Sequence, residues 1–284
     1  MGEAQLGFDD MPQRLYPAAP TRLLAFLDCP RRYRLSYLER PPPPKGPPWA
    51  HNSVGAVVHS ALATWWKLAL PSRTPQAGAE LVVQGWSDVG FLDAEQSSRH
   101  RGRASSMVAS YLADVDPADE PVGVERVVSL TTPRAALWGR VDRIDERAGD
   151  GLVVVDYKTG RHLLTVDDAR SSLALAIYAA AASRTLHRPC TRVELHHLPT
   201  GEVLVWEHSD ESLQRHLRRA DSLAAEVARA DAAYQGGLTP EQVDARFPPQ
   251  PGPMCGWCDF NRACPQGSAA RAPLPPWAGL PADV

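Results

Sequence analysis

The residues whose types and spacing could do chemistry lie in one stretch, 136–161, which reads ALWGRVDRIDERAGDGLVVVDYKTGR. Asp156 and Lys158 stand two apart at the end of a valine run, so on a strand they share a face while Val155 and Tyr157 take the other. Asp142 belongs to the preceding segment, and pairing the two segments as a hairpin brings it opposite Asp156. Two close carboxylates repel each other, and a divalent cation relieves that repulsion. An ammonium group beside them completes a set suited to metal-assisted chemistry. An exposed hairpin with ordinary surface charges would also contain Asp-x-Lys.

The elements that must position these groups follow from periodicity. Ala136–Asp145 and Leu152–Tyr157 are the two strands, with Asp150-Gly151 as the turn between them. Val124–Leu130 is an earlier strand. Ser172–Leu186 is an alanine- and leucine-rich helix, small enough to lie close on a sheet. Two further strands, Thr191–Leu198 and Glu202–Glu207, flank a Pro199-Thr200-Gly201 turn, and Glu211–Tyr234 is a long amphipathic helix. Upstream, a helix from Ser53 to about Leu70 carries His59 beside Gly55 and Ala63, off its apolar stripe. A helix capped by Thr21 and running to Leu38 must break at Cys29-Pro30. Its Arg31, Arg32, Arg34 and Arg40, mixed with Tyr33 and Tyr37, suit a single strand, or else form a solvated face with the tyrosines in the core. Arg99-His100-Arg101-Gly102-Arg103 is either a channel lining or a helix end. His196 and His197 face opposite ways on one strand and read as structural.

Cys255, Cys258 and Cys264, spaced C-x2-C-x5-C, are three thiols that can converge on one centre, with Cys29 as the natural fourth. Zinc and an iron–sulfur cluster both suit four thiolates. Cys190 has no partner at useful spacing and reads as a small buried residue. The net charge of −3 does not advertise nucleic-acid binding, so any such binding needs a local basic patch. No apolar run is long enough to span a bilayer and the N-terminus lacks the apolar core of a secretion signal, which places the chain in the cytoplasm, without a membrane. In that compartment five cysteines are not a disulfide framework.

Gly139-Arg140-Val141-Asp142-Arg143-Ile144-Asp145, followed by Asp156-Tyr157-Lys158-Thr159-Gly160, resembles the motif pair of the PD-(D/E)xK nuclease superfamily, in its RecB-like branch. The resemblance implies an α/β fold with a mixed, restriction-endonuclease-like central sheet flanked by helices. It assigns Asp142 and Asp156 to a Mg or Mn ion and Lys158 to water activation or charge stabilisation at the scissile phosphate. A Gly-x-x-x-His-x-x-Leu helix supplies a metal-binding imidazole in that branch, and Gly55, His59 and Leu62 match it. The Gln-x-x-x-Tyr signature is matched at Tyr178, but Ala174 replaces the glutamine. Tyr178, with Arg140 and Arg161, is the expected substrate-binding set.

One cysteine before and three after the core are similar to the iron–sulfur nucleases of double-strand-break resection and CRISPR spacer acquisition. That likeness makes Cys29, Cys255, Cys258 and Cys264 ligands of a [4Fe-4S] cluster clipping the chain ends together. The expected organisation is an arm over residues 1–19, one nuclease domain over 20–266 with a helical insert at about 53–121, and a Pro/Ala-rich tail over 267–284. The expected activity is exonucleolytic cleavage of single-stranded DNA in repair or recombination. The chain has no phosphate-binding loop of an ATP motor, so a separate helicase or a repair or adaptation partner would open a duplex. The competing expectation is a catalytically silent scaffold that binds nucleic acid and holds structural zinc or iron–sulfur.

Overall fold

The computed structural model describes residues 15–147, 149 and 151–281. The six-stranded mixed sheet is built around β3 (Ala135–Arg147). One edge of β3 pairs antiparallel with β2 (Gly123–Thr131) along most of its length. Its other edge is shared: β1 (Tyr16–Ala18) runs parallel to 135–137, and β4 (Gly151–Lys158) runs antiparallel to 143–147. Residues 138–142 therefore have no ladder partner on that side, and Asp142 stands at the end of that gap. β5 (Cys190–His197) lies parallel to β4, and β6 (Glu202–Glu207) closes the order.

The valine run of β4 is buried on both faces, as its continuous apolar character requires. Leu152 and Val154 point into one core, and Val153, Val155 and Tyr157 into the other. The first core is covered by α1 (Pro20–Asp28), α2 (Pro30–Tyr37), α7 (Leu173–Leu186) and α8 (Asp210–Gln235). Ala176, Ala179, Ala181 and Ala182 of α7 are fully buried, and their small side chains bring the helix close to the sheet. The second core is built by α3 (Ala50–Trp65), α4 (Pro75–Gln84) and α5 (Ala94–Ala113). The remaining helices, α6 (Val166–Ser171), α9 (Pro240–Arg246) and α10 (Pro265–Ala270), are short.

Three expectations need correction. Residues 1–14, and Asp150 of the expected turn, lie outside the described residues, but residues 16–18 are a sheet strand rather than part of a loose arm, with Ala18 buried. The first helix starts earlier than Thr21, because Pro20 occupies its first turn with Ala19 as N-cap and no side-chain cap. The Arg31–Arg40 stretch is not an open strand-binding face. Tyr33 is fully buried, Arg31 and Arg34 reach Asp244, and Arg32 pairs with Asp28. The chain does break at Cys29, whose extended backbone ends α1 and whose sulfur accepts the Arg32 N–H to cap α2.

Candidate active site

Asp142 sits beside the unpaired edge of β3. The strand's alternation slips there: Val141 and Ile144, of opposite parity, pack into the same core. Arg143 and Asp145 consequently face the other layer, where Arg143 bonds Asp145 and the Tyr157 hydroxyl. Across the β2 ladder, the position opposite Asp142 is Glu125, which lies between two regular pairs and has a left-handed φ of 50°. A non-glycine residue held in that region is uncommon, and such outliers concentrate at functional sites.

Asp142 Oδ2 accepts the backbone N–H of Tyr157 at 2.9 Å, and Oδ1 lies 3.2 Å from Nδ1 of His59 on α3. Gly55, one turn before His59, faces the chain after β4, where a Cβ would make ordinary contact with Thr159 Oγ1 at 3.4 Å. His197 holds the same segment by its Nε2 contact with the Gly160 carbonyl at 2.8 Å. Burial works against a charged His59 imidazole, but the hydrogen bond and charge of Asp142, with the charge of Asp156, outweigh it and raise its pKa.

Asp156 Oδ2 is buried and, among the described residues, meets only the Lys158 ammonium, at 2.5 Å. Burial raises the Asp156 pKa, Asp142 adds to the rise, and Lys158 and His59 oppose it. Ligand atoms of His59, Glu125 and Asp142 all lie within 4.8 Å of one another. Asp156 stands outside that trio, engaged by Lys158. A carboxylate oxygen sealed from solvent, two further carboxylates and an imidazole form a hard, oxygen-rich donor set that fits Mg or Mn. Glu125 carried no signal in the sequence, because a glutamate on a strand is ordinary until its pairing partner is known.

The site opens on a cleft of about 1410 Å³ lined by His59, Glu125, Asp142, Tyr178, Arg140 and Arg161, among others. Tyr178 reaches it from α7 because Gly139 has no side chain; a Cβ there would fall 2.3 Å from the Tyr178 Cε1. Burial and then the charges of Asp156 and Asp142 push the Tyr178 hydroxyl up to about 12, so it remains a hydrogen-bond donor at neutral pH. Ala174, one turn earlier, offers no polar group. Arg140 is 2.9 Å from Glu125 Oε2 yet largely exposed, and Arg161 is exposed.

Separately from the cleft, Cys29, Cys255, Cys258 and Cys264 line one cavity of about 30 Å³, all as free thiols. The sulfurs of Cys29, Cys255 and Cys264 accept backbone N–H groups from Arg32, Gly252 and Gly267. Gly267 keeps the cavity open, since a Cβ would lie 3.3 Å from Cys264 Sγ and 3.7 Å from Cys255 Sγ. Cys190 is buried at the start of β5, and burial pushes its thiol up to about 12.

Carboxylates, an imidazole and a lysine gathered beside a wide cleft are a set suited to metal-assisted hydrolysis. The family model of the PD-(D/E)XK nuclease superfamily matches residues 17–265, and the chain belongs to that superfamily. Its members are generally metal-dependent nucleases that cleave phosphodiesters, with DNA the implied substrate. The comparison with curated proteins gives no match. No helix among the described residues is long and apolar enough to cross a membrane.

Proposed function

We propose that the protein is a Mg- or Mn-dependent exodeoxyribonuclease of RecB-like type that acts on single-stranded DNA ends in repair or recombination. The observation that carries this reading is the convergence of His59, Asp142 and Glu125 within 4.8 Å, beside the Asp156–Lys158 pair, on the wall of a wide cleft. His59, Asp142 and Asp156 hold the cation, and Glu125 joins them. Bound there, the metal supplies Lewis-acid polarisation of a phosphate and a lowered pKa for attacking water.

The chain's own groups do the rest. With a cation bound, Asp156 would serve as its ligand and the Lys158 ammonium would be available to offset charge that develops at the phosphate during cleavage. Tyr178, protonated, donates to a phosphate oxygen, and Arg140 and Arg161 hold the flanking backbone. Asp142, fixed by the Tyr157 N–H, keeps His59 oriented.

The four cysteines hold a [4Fe-4S] cluster that ties α2 to the C-terminal region. A shared cavity, backbone N–H groups aimed at three sulfurs and a glycine that leaves room for a cluster support this reading. Zinc is the competitor for the same thiols.

The test is cleavage of end-labelled single strands by protein purified without oxygen. Asp156→Ala and Lys158→Ala are each expected to lose at least about a hundredfold in rate with melting temperature little changed. Cleavage by metal-replete Asp156→Ala at the parent rate would refute the assignment. An iron count near four per chain supports the cluster, and one zinc per chain in its place overturns it.

A further inference from the structure

The cleft wall beyond the acidic centre contains a tryptophan that the hydrolytic chemistry does not use. Trp138 is 47% exposed on β3, and Val127, 56% exposed, is its diagonal neighbour on β2, since Val127 pairs with Arg140 and Ser129 with Trp138. Both line the same cleft as His59 and Asp142. Large apolar side chains exposed together on a sheet face mark a surface with an occupant. The opposite face of β3 is occupied: Ala135, Leu137 and Val141 are packed into the core beneath it. On the outer face, α3, α4 and α5 settle on Val153, Val155 and Tyr157 of β4, and Val124 of β2 packs against the same cluster.

The occupant is constrained by what surrounds the ring. Arg140 lies two residues away on the same face, and Arg161 and Lys67 are exposed along the same cleft. A flat apolar ring flanked by cations matches a nucleic-acid strand, whose bases offer π-faces and whose phosphates offer charge. Trp138 and Asp142 are four residues apart on one strand, about 13 Å, the length of roughly four stacked nucleotides at 3.4 Å each. Paired bases in a duplex are stacked on each other and leave no face free for the indole.

We infer that Trp138 is a base-stacking platform that grips an unpaired DNA strand a few nucleotides from the scissile phosphate and so makes the cleft selective for single strands. This rests on the reading of the acidic centre as a nuclease site, but its test uses binding alone. Full-length Asp156→Asn protein in EDTA is titrated with labelled oligothymidylate, with an abasic strand of equal length, and with a duplex. Trp138→Thr, which keeps a β-branched residue on the strand, is expected to weaken oligothymidylate binding about tenfold, the order of one lost base–aromatic stack. Affinity for the abasic strand and the duplex is expected to stay the same, and Trp138→Phe to retain most of the oligothymidylate affinity.

Equal loss on base-bearing and abasic strands would overturn the inference by showing that Trp138 only supports the fold. Unchanged oligothymidylate binding by Trp138→Thr overturns it outright. Should Trp138→Thr fail to fold, Trp138→Phe and the parent's own preference decide: affinity for the abasic strand equal to that for oligothymidylate overturns the inference. Cleavage retained by Asp156→Ala protein would sink the reading of the acidic centre while leaving these binding results standing.

Discussion

At the scale of single residues, the site is a balance of opposed charges. Asp142 and Glu125 bring two carboxylates together with Asp156 close by, answered by Lys158 on Asp156 and by Arg140 on Glu125. Glu125→Gln removes one hard donor and releases Arg140. Isothermal titration of Mn without nucleic acid is expected to show affinity about tenfold weaker, with the melting temperature of the metal-free protein unchanged. Unaltered Mn affinity would reduce Glu125 to a holder of Arg140. Asp142, Asp156 and Lys158 were legible in the sequence because side chains alternate along a strand and a hairpin aligns its arms. His59 was legible only through its resemblance to a family helix, since nothing in its own stretch says which way it points.

At the scale of elements, several joints are set by one residue each. Cys29 ends one helix and caps the next, and Gly139 lets α7 carry the Tyr178 ring onto β3. The joint between β6 and α8 is the pH-sensitive one. His208 is buried there, with the Trp206 indole donating to its Nδ1 at 3.3 Å and Ser212 Oγ at 3.0 Å. An indole can only donate, so the neutral ring carries its proton on Nε2, and protonating Nδ1 would set two donors against each other. Burial first, and His216 second, push the His208 pKa down to about 4. The folded state therefore takes up this proton less readily than the unfolded chain, where histidine titrates near 6.5. The contribution of His208 to stability is expected to fall as pH drops from about 6.5 to about 4 and to change no further below that. Urea midpoints for His208→Asn should flatten across that window; an identical slope in parent and variant would assign the effect to other groups.

At the scale of the whole molecule, distant parts of the chain are joined by polar knots as well as by the cores. Asp231 on α8 accepts from Tyr16 Oη of β1 at 2.7 Å, Arg22 of α1 at 2.7 Å and Tyr33 Oη of α2 at 2.8 Å. Removing a carboxylate from such a buried set strands its donors. Asp231→Ala is accordingly expected to lower unfolding free energy by about 3 kcal/mol in urea titration, while cleavage by the remaining folded protein persists. A loss below about 1 kcal/mol would mean that water replaces the carboxylate. By itself, the sequence determined the strands, the hairpin, the paired acids with their lysine, and the thiol spacing. Those are local matters of period, turn chemistry and residue type. Only the tertiary structure decided that β3 shares one edge between β1 and β4, that Glu125 of β2, on its other edge, comes beside Asp142, and that a tryptophan faces the cleft. Strand partners far apart in the chain are chosen by packing over the entire sheet, and no local pattern records that choice.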